Sequence, residues 1–199
     1  MINPFRTLAI AVALSIVIAS LAMPANANET YSSTPVLGGN GGGSFNGYCG
    51  RREVMTGIVG RTGAWLDAIA PLCAGYGHGP RFDPPRRGPW TGGGGGGSAS
   101  QECPSNAAVR GWEIGRVRHN GFVVGYVRLI CLSLDTGAET RNGQRFGGQG
   151  FIADADVMTY RCPAGQVAVG VYGHSGAFID NAGLLCDTPS LIFGRPTTR

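Results

Sequence analysis

Two aspartates, Asp67 and Asp180, are the side chains in this sequence that best fit a chemical role. Each ends a five-residue string, Gly63-Ala-Trp-Leu-Asp67 or Gly176-Ala-Phe-Ile-Asp180, in which the carboxylate lies four residues after a glycine. A carboxylate accepts two hydroxyl protons in charge-assisted hydrogen bonds, and nearby backbone N–H groups donate to the same oxygens. Glycine lets a ligand approach the backbone because it has no side chain. The pattern favours binding of a vicinal diol; the alternative is that each aspartate braces a turn.

Both strings belong to a longer internal repeat. The segment Gly57–Cys73 aligns without a gap with Gly170–Cys186, and a degraded copy, Gly111–Cys131, lies between them. The degraded copy has Gly125 at the position of the aspartate and is predicted to have a turn longer by four residues. We therefore expect two sites rather than three. With their Gly-rich openings, the repeats span about 37–73, 91–131 and 146–186.

Alternating apolar residues predict that the repeats form strands. Val167, Val169 and Val171 mark one face of a period-two pattern, and the first repeat matches it. The 35 glycines and 12 prolines favour turns and strands over helices. Each hairpin unit is too small to bury its own face, so the three units must share a core. The predicted fold class is an all-β prism or barrel with pseudo-threefold symmetry.

The N-terminus has the pattern of a signal peptide over residues 1–27. A short basic head precedes the uncharged stretch Leu8–Met23, and Ala25–Ala27 supplies a small-x-small cleavage site. The uncharged stretch is shorter than the roughly 20 residues of a transmembrane helix, although an uncleaved anchor is the alternative. The sequence predicts a secreted or periplasmic protein that is not membrane-inserted after cleavage, with a flexible leader at 28–36 and one domain at 37–199.

Six cysteines in an exported chain indicate three disulfides. The midpoint between Cys49 and Cys73 falls in Gly60–Gly63, where glycines suit a hairpin turn. A hairpin folded there places the two cysteines side by side and sets Gly57 opposite Trp65. The same reasoning in every repeat predicts the pairs Cys49–Cys73, Cys103–Cys131 and Cys162–Cys186.

Charge and residue types argue against several functional classes. All 16 basic residues are arginines, and a net charge of +4 spread along the chain does not indicate nucleic-acid or membrane affinity. His78, His119 and His174 lie in different contexts, without the cysteine or carboxylate neighbours of a metal site. The run Gly92–Gly97 lacks the Lys-Ser/Thr of a phosphate-binding loop. The sequence predicts no enzymatic activity, no metal and no cofactor.

The two aspartate strings resemble the Gly-x-x-x-Asp sugar-binding motif of mannose-binding jacalin-related lectins. The openings Gly38-Gly-Asn-Gly-Gly42 and Gly147-Gly-Gln-Gly150 are similar to the Gly-rich loops of that family. The resemblance implies a β-prism of three Greek-key units that binds mannose- or glucose-type sugars and is not an enzyme. The implied partners are therefore glycans or glycoconjugates, which single shallow sites bind weakly, at roughly millimolar Kd, so a homo-oligomer would raise avidity.

In that family a sugar lies between one Gly-x-x-x-Asp motif and the Gly-rich loop of another unit. The resemblance therefore implies that Asp67 acts with the loop Gly92–Gly97, and Asp180 with Gly38–Gly42. The implied carbohydrate-binding residues are Gly63, Ala64, Trp65, Asp67, Gly176, Ala177, Phe178, Asp180, Gly41, Gly42, Gly94 and Gly95.

The paired cysteines depart from those plant lectins. They resemble a second group, the vitelline membrane outer layer proteins, which are secreted and share the prism shape. The alternative function is therefore a disulfide-stapled structural protein of an outer layer, without a small ligand.

Overall fold

The computed structural model describes residues 31–75, 81–148 and 156–189. The predicted signal peptide lies outside these residues. No helix among them is long and apolar enough to span a membrane. They form fifteen strands: β1 (Ser32–Ser33), β2 (Leu37–Gly38), β3 (Gly43–Tyr48), β4 (Glu53–Thr62), β5 (Leu66–Gly75), β6 (Arg86–Arg87), β7 (Thr91–Gly92), β8 (Gly97–Glu102), β9 (Ala107–Arg118), β10 (Phe122–Ser133), β11 (Glu139–Arg141), β12 (Phe146–Gly147), β13 (Val157–Arg161), β14 (Val167–Ser175) and β15 (Ile179–Asp187).

The strands form three antiparallel sheets, each built on one hairpin. Sheet I has the order β6-β5-β4-β8, sheet II has β11-β10-β9-β13, and sheet III has β1-β15-β14-β3. A fifth short strand pairs off the path in each: β7 with β5, β12 with β10, and β2 with β15. This arrangement confirms the predicted all-β prism of three equivalent units.

A Gly-rich loop crosses over the turn end of a hairpin in sheets I and III. In sheet I, β7 lies beside β5, and residues 93–96 then lead across the hairpin to β8 beside β4. Sheet III repeats this crossing between β2 and β3. Each unit is therefore a Greek key. Each Gly-rich opening pairs with the hairpin of the preceding repeat, and the first opening, at the start of the domain, pairs with the last hairpin.

The segment 31–36 is part of sheet III, so the prediction of a flexible leader is wrong there. β1 pairs with β15, and Thr34 is buried against Leu184. The Thr34 N–H donates to the Leu184 carbonyl at 2.9 Å, and Thr34 Oγ1 accepts the Leu184 N–H at 2.9 Å. This pairing covers a strand edge that would otherwise be open. Residues 28–30 lie outside the described part of the chain.

Side chains from all three sheets meet in one core. Met55 and Ile69 of sheet I, Trp112 of sheet II, and Val171 and Ile179 of sheet III are fully buried in it. No single hairpin could cover such an apolar face alone. The shared core is therefore the reason that three small units fold as one domain.

Two β-bulges in every hairpin explain where the predicted pattern fails. The first-strand bulge adds one unpaired residue, which is Thr56, Arg110 or Val169 in sheets I, II and III. An extra residue reverses the side-chain alternation. Val171 therefore lies in the main core, whereas Val167 and Val169 belong to a second cluster, so these three valines do not share one face.

The predicted hairpin register is also wrong. Gly57 pairs with Leu72, not Trp65, and the turn consists of Gly63–Trp65. Counting from cysteine to cysteine misplaces the turn because Cys49 lies outside the hairpin and each strand carries a bulge. The four additional residues of the middle repeat lengthen its strands, not its turn: β9 and β10 have 12 residues each, whereas β4 and β5 have 10.

All three predicted disulfides are present, with Cα–Cα distances of 5.4, 5.6 and 5.6 Å. Each bond joins two sheets: Cys49–Cys73 joins III to I, Cys103–Cys131 joins I to II, and Cys162–Cys186 joins II to III. The N–H of the first cysteine in every pair donates to the carbonyl of a first-strand bulge residue, at 2.8 to 2.9 Å. The three disulfides thus link the sheets pairwise around the prism.

Replacing both Cys103 and Cys131 by serine should lower the free energy of unfolding by about 3 kcal/mol, the loop-closure value for a bridge of this span. Denaturant unfolding under non-oxidising and non-reducing conditions measures the loss. The Cys49→Ser/Cys73→Ser variant is the matched comparison and should lose a similar amount. Peptide mass mapping that found a different pairing in the wild type would contradict these three bridges between the sheets.

Candidate functional site

The second-strand bulge determines where the two aspartates point. The pairing of each hairpin skips one residue of its second strand next to the turn, and that residue is Asp67 in sheet I and Asp180 in sheet III. A bulge redirects the side chain of its extra residue away from the regular in-and-out alternation. Both carboxylates are thereby directed towards the crossing loop of their own sheet.

Asp67 lies against the loop that crosses sheet I. Its carbonyl accepts the Gly93 N–H at 2.9 Å. A Cβ added to Gly95 would collide with Asp67 Oδ1, and one added to Gly96 would lie 2.6 Å from Oδ2. Only glycine lets the loop backbone lie this close to the carboxylate. Gly94, at the crest of the loop, has no neighbour on its Cβ side, so it faces open space.

Asp180 is held in the same way in sheet III. Its carbonyl accepts the Gly39 N–H at 2.8 Å. A Cβ on Gly41 would collide with Asp180 Oδ1, and one on Gly42 would lie 2.5 Å from Oδ2. The chain therefore brings each aspartate together with one of the two Gly-rich segments singled out in the sequence.

The two carboxylates differ in burial. Asp67 is 5% exposed, and within the described part of the chain its Oδ2 has no hydrogen-bond partner. Asp180 is half-buried. Burial raises the pKa of Asp180 above its ordinary value of 3.8, although the charge of His174 and the backbone N–H groups of Gly176 and Asp180 act in the opposite direction. An unsatisfied, buried carboxylate oxygen is costly unless a ligand supplies a proton donor.

Different side chains anchor the two crossing loops. The Arg61 guanidinium donates to the carbonyls of Gly95 and Gly96, both at 2.6 Å. In sheet III, Asn181 accepts the His174 N–H at 3.0 Å and donates to the Gly39 carbonyl at 2.5 Å. Sequence reasoning missed these anchors. Nothing in the repeat marks them, since Arg61 is replaced by His174 and Asn181 by Ala68 at matching positions.

Sheet II has the same bulge and the same loop contact as the other two sheets, but it has no carboxylate there. Gly125 occupies the second-strand bulge, and its carbonyl accepts the Gly148 N–H at 3.1 Å. Gly125 therefore occupies the position that Asp67 and Asp180 hold in the other hairpins, as the alignment of the repeats predicts. The next residue, Tyr126, is fully buried beneath Arg145 and donates its hydroxyl to Glu113 at 2.9 Å. Burial and that carboxylate raise the pKa of Tyr126 to about 12. Residues 149 and 150 lie outside the described chain.

The three hairpin turns meet at one end of the prism through a ring of aromatic side chains, here called the apex cluster: Trp65, His119 and Phe178. Ring centroids lie 4.0 Å apart for Trp65 and His119, and 5.2 Å apart for each of the other two pairs. Trp65 therefore contacts the other turns and does not cover Gly57. Sequence reasoning missed His119 because it is the first residue of its turn, whereas Trp65 and Phe178 are the third residues of theirs.

The crossing loops also pack against these turns. A Cβ on Gly93 would collide with the Ala177 carbonyl, and one on Gly39 would collide with the Phe122 carbonyl. The loop beside Asp67 thus touches the turn of sheet III, and the loop beside Asp180 touches the turn end of sheet II. Both aspartate sites and the apex cluster form one continuous surface.

No group of three or more histidines, cysteines or carboxylates that could hold a metal occurs in residues 31–75, 81–148 and 156–189. His78 lies outside these ranges. The geometry of the two aspartate sites is that of hydrogen-bond acceptors beside open backbone.

Comparison with solved structures identifies the architecture. A Malaysian banana lectin matches with a TM-score of 0.57 and 20% identity, over 80% of this chain and 99% of that one. The fold is that of the jacalin-related lectins. Artocarpin, a lectin with mannose specificity, gives 0.54 and 15% identity over 79% and 97%. A mannose-specific jacalin-related lectin from Morus nigra, solved with mannose, gives 0.54 and 16% over 83% and 99%.

No family model matches this chain, and no curated protein matches its sequence. The likeness to these lectins therefore lies in the fold.

Gly95→Ala should distort the Asp67 site and lower the free energy of unfolding by about 1–3 kcal/mol, because the new methyl group overlaps Asp67 Oδ1. Gly97→Ala is the matched control, since a Cβ there meets nothing within 4 Å. Chemical denaturation of both variants tests the contact. Equal stability of the two would show that the loop does not lie on the carboxylate.

Proposed function

We propose that this protein binds carbohydrate, taking neutral mannose- or glucose-type hexoses at two sites. One site consists of Asp67 with the loop Gly93–Gly96, and the other of Asp180 with Gly39–Gly42. The observation that carries the proposal is the nearly buried Asp67 carboxylate. Its Oδ2 has no partner among the described residues, and it lies against bare glycine backbone at an open end of the domain.

A hexose supplies the groups that such a site lacks. Two neighbouring hydroxyls donate to the two carboxylate oxygens in charge-assisted bonds, while backbone N–H groups of the turn and loop donate to the sugar oxygens. The bond to Oδ2 offsets the cost of burying that atom unpaired. The negative charge of the site disfavours acidic sugars. A neutral ligand with adjacent hydroxyls is therefore the best match.

The comparisons and the disulfides support this proposal. The fold is shared with lectins that are described as mannose-specific, one of them in complex with mannose. No enzyme is among the structures compared above, and we propose binding without catalysis. The three disulfides suit an oxidising compartment, in line with secretion or periplasmic residence.

Asp67→Asn and Asp180→Asn should each reduce the number of bound hexosides from two to one, and the double variant should bind none. Asparagine keeps the shape but replaces one acceptor oxygen with a donor group and removes the charge. Protein-observed NMR titration with methyl α-mannoside and methyl α-glucoside counts the sites, because each site shifts its own set of resonances even at millimolar Kd.

Asp83→Asn is the control, because Asp83 is exposed and its N–H donates to the carbonyl of Gly75, at the end of β5 opposite the turn. Full binding by the double variant would refute the assignment of the two sites. If the wild type bound no hexoside at all, the proposal would fail and the alternative, a structural protein of an outer layer, would gain support.

Acidification should release the sugar from the Asp180 site, and the midpoint of this release should lie above the ordinary aspartate pKa of 3.8. The ionised carboxylate is the binding form, and burial raises its pKa above 3.8, so falling pH neutralises it earlier. The Asp67→Asn variant isolates this site for calorimetry across the acidic range. His174→Gln in that background should move the midpoint further upward, because the positive charge of His174 lowers the Asp180 pKa. An affinity that stayed constant down to pH 3.8 would contradict this assignment.

A further inference from the structure

The positive charge of the domain is concentrated on one side of sheet II. The described residues include 13 arginines and 10 carboxylates, an excess of three positive charges. The whole excess lies in a group here called the arginine face, because the other described residues include eight arginines and eight carboxylates. The arginine face consists of Arg110, Arg128, Arg141, Arg145 and Arg161, with Glu113 and Glu139.

Glu113 shows which side of the sheet this group occupies. Its neighbours in β9, Trp112 and Ile114, point into the shared core, so Glu113 lies on the outer side of sheet II. Arg128 Nη2 donates to Glu113 Oε2 at 2.6 Å, and Arg141 Nη1 donates to the same oxygen at 3.1 Å. Both arginines therefore lie on the outer side too.

A second carboxylate gathers two more arginines on that side. Glu139 lies two residues before Arg141 in β11 and so shares its side of the sheet. Arg161 comes from β13, at the opposite edge of sheet II, and its Nε donates to Glu139 Oε2 at 3.1 Å. Its side chain passes over Gly111, where a Cβ would lie 2.9 Å from Arg161 Cγ. Arg110 Nε lies 3.5 Å from Glu139 Oε1.

The carboxylates orient these arginines without using all of their donors. A guanidinium has five N–H donors, whereas Arg141 and Arg161 each make one side-chain bond within the described ranges. Their side chains remain 44% and 43% exposed. Arg145 lies with its guanidinium carbon 4.1 Å from the centre of the Tyr126 ring and has no ion pair with any described residue. Side chains that are already oriented lose less entropy when they bind a ligand.

The chemistry of this face favours one kind of ligand. Guanidinium groups bind tetrahedral oxyanions through paired N–H donors, and they are weakly hydrated, as sulfate esters are. Tyr126, the ring beneath Arg145, is fully buried, so no nucleic-acid base can stack on it. The exposed side chains of the arginine face are charged and offer no apolar group to a lipid interface. A chain that carries repeated sulfate groups is therefore the best match.

We propose that the arginine face binds a sulfated polysaccharide. Arg141, Arg145 and Arg161 donate to the sulfate esters, while Glu113 and Glu139 hold the guanidinium groups in place. The face lies on the side of sheet II, whereas the proposed hexose sites lie at the turn ends of sheets I and III. This second binding surface does not depend on the hexose sites.

Dextran sulfate and unmodified dextran provide a matched pair of probes, because they differ in the sulfate groups alone. The Asp67→Asn/Asp180→Asn variant should bind dextran sulfate and not dextran, since its proposed glucose-type sites are removed. Affinity should fall as salt rises, with a slope of about −2 in a plot of log affinity against log salt concentration, because bound counterions are released. Biolayer interferometry measures both effects.

Two triple variants test which arginines are responsible. Removal of three arginines of the face should weaken dextran sulfate binding about 100-fold, from roughly fivefold for each charge. Removal of three exposed arginines outside sheet II lowers the net charge equally and should change affinity less than about threefold. The test variant is Arg141→Gln/Arg145→Gln/Arg161→Gln, and the control is Arg51→Gln/Arg81→Gln/Arg87→Gln.

Chemical modification of the wild type gives a readout that does not depend on the folding of a variant. Phenylglyoxal reacts with accessible arginines, and peptide mass mapping locates the products. Dextran sulfate should protect Arg141, Arg145 and Arg161, and should leave the reaction of Arg51 and Arg87 unchanged.

Several outcomes would overturn the proposal: equal affinity for dextran and dextran sulfate, an equal loss of affinity in the two triple variants, or no protection of the arginine face from phenylglyoxal. Tighter binding to duplex DNA or to phosphatidylglycerol vesicles than to dextran sulfate would assign the face to another partner and would also overturn it. Absence of hexoside binding by the wild type would refute the proposed function alone.

Discussion

The structure depends on one recurring backbone contact, in which a glycine N–H of a Gly-rich loop meets the carbonyl of a bulged residue. It recurs at Asp67, Gly125 and Asp180, with N···O distances of 2.8 to 3.1 Å. The loop needs glycine at this position because a Cβ on Gly39, Gly93 or Gly148 would collide with the backbone at the turn end of a hairpin in another sheet. The contact also requires the bulge, which redirects one side chain to the end of the sheet. The same geometry that closes each Greek key therefore places a carboxylate against the crossing loop wherever the bulge carries an aspartate.

Much of this arrangement could be predicted from the sequence. The repeat gave the three units and the cysteine pairs, and family resemblance linked each aspartate to a loop of another repeat. The strand register could not be predicted, because a bulge at Thr56 or Asp67 adds a residue without changing the apolar composition. Arg61 and His119 were missed for another reason. Their counterparts in the other units are of different residue types, so they differ from one repeat to the next.

The three hairpins share the same bulge position but carry different residues there. Sheet II has glycine at the bulge and, beside it, an ionic network in which the buried Glu113 pairs with Arg128 and Arg141. Burial raises the pKa of Glu113, but hydrogen bonds from Arg128 and Tyr126 and the charges of Arg128 and Arg141 outweigh that effect and hold it below its ordinary value. The network therefore stabilises the native state at neutral pH, and this contribution is lost as pH falls through the lowered pKa. Sheet II thus has an ionic network beside the bulge, where sheets I and III have a carboxylate facing a crossing loop.

Sheet III is assembled from both ends of the described domain, since strands at residues 32–48 pair with the hairpin at 167–187. During synthesis, these early strands cannot complete sheet III until the last hairpin has been made. Sheets I and II draw on contiguous segments and can form sooner. Cys162–Cys186 joins the last hairpin to sheet II, and it is the last of the three bridges between sheets that can form. Cys186 is the last cysteine to be synthesised. Formation of this disulfide therefore requires that all three hairpins have been made.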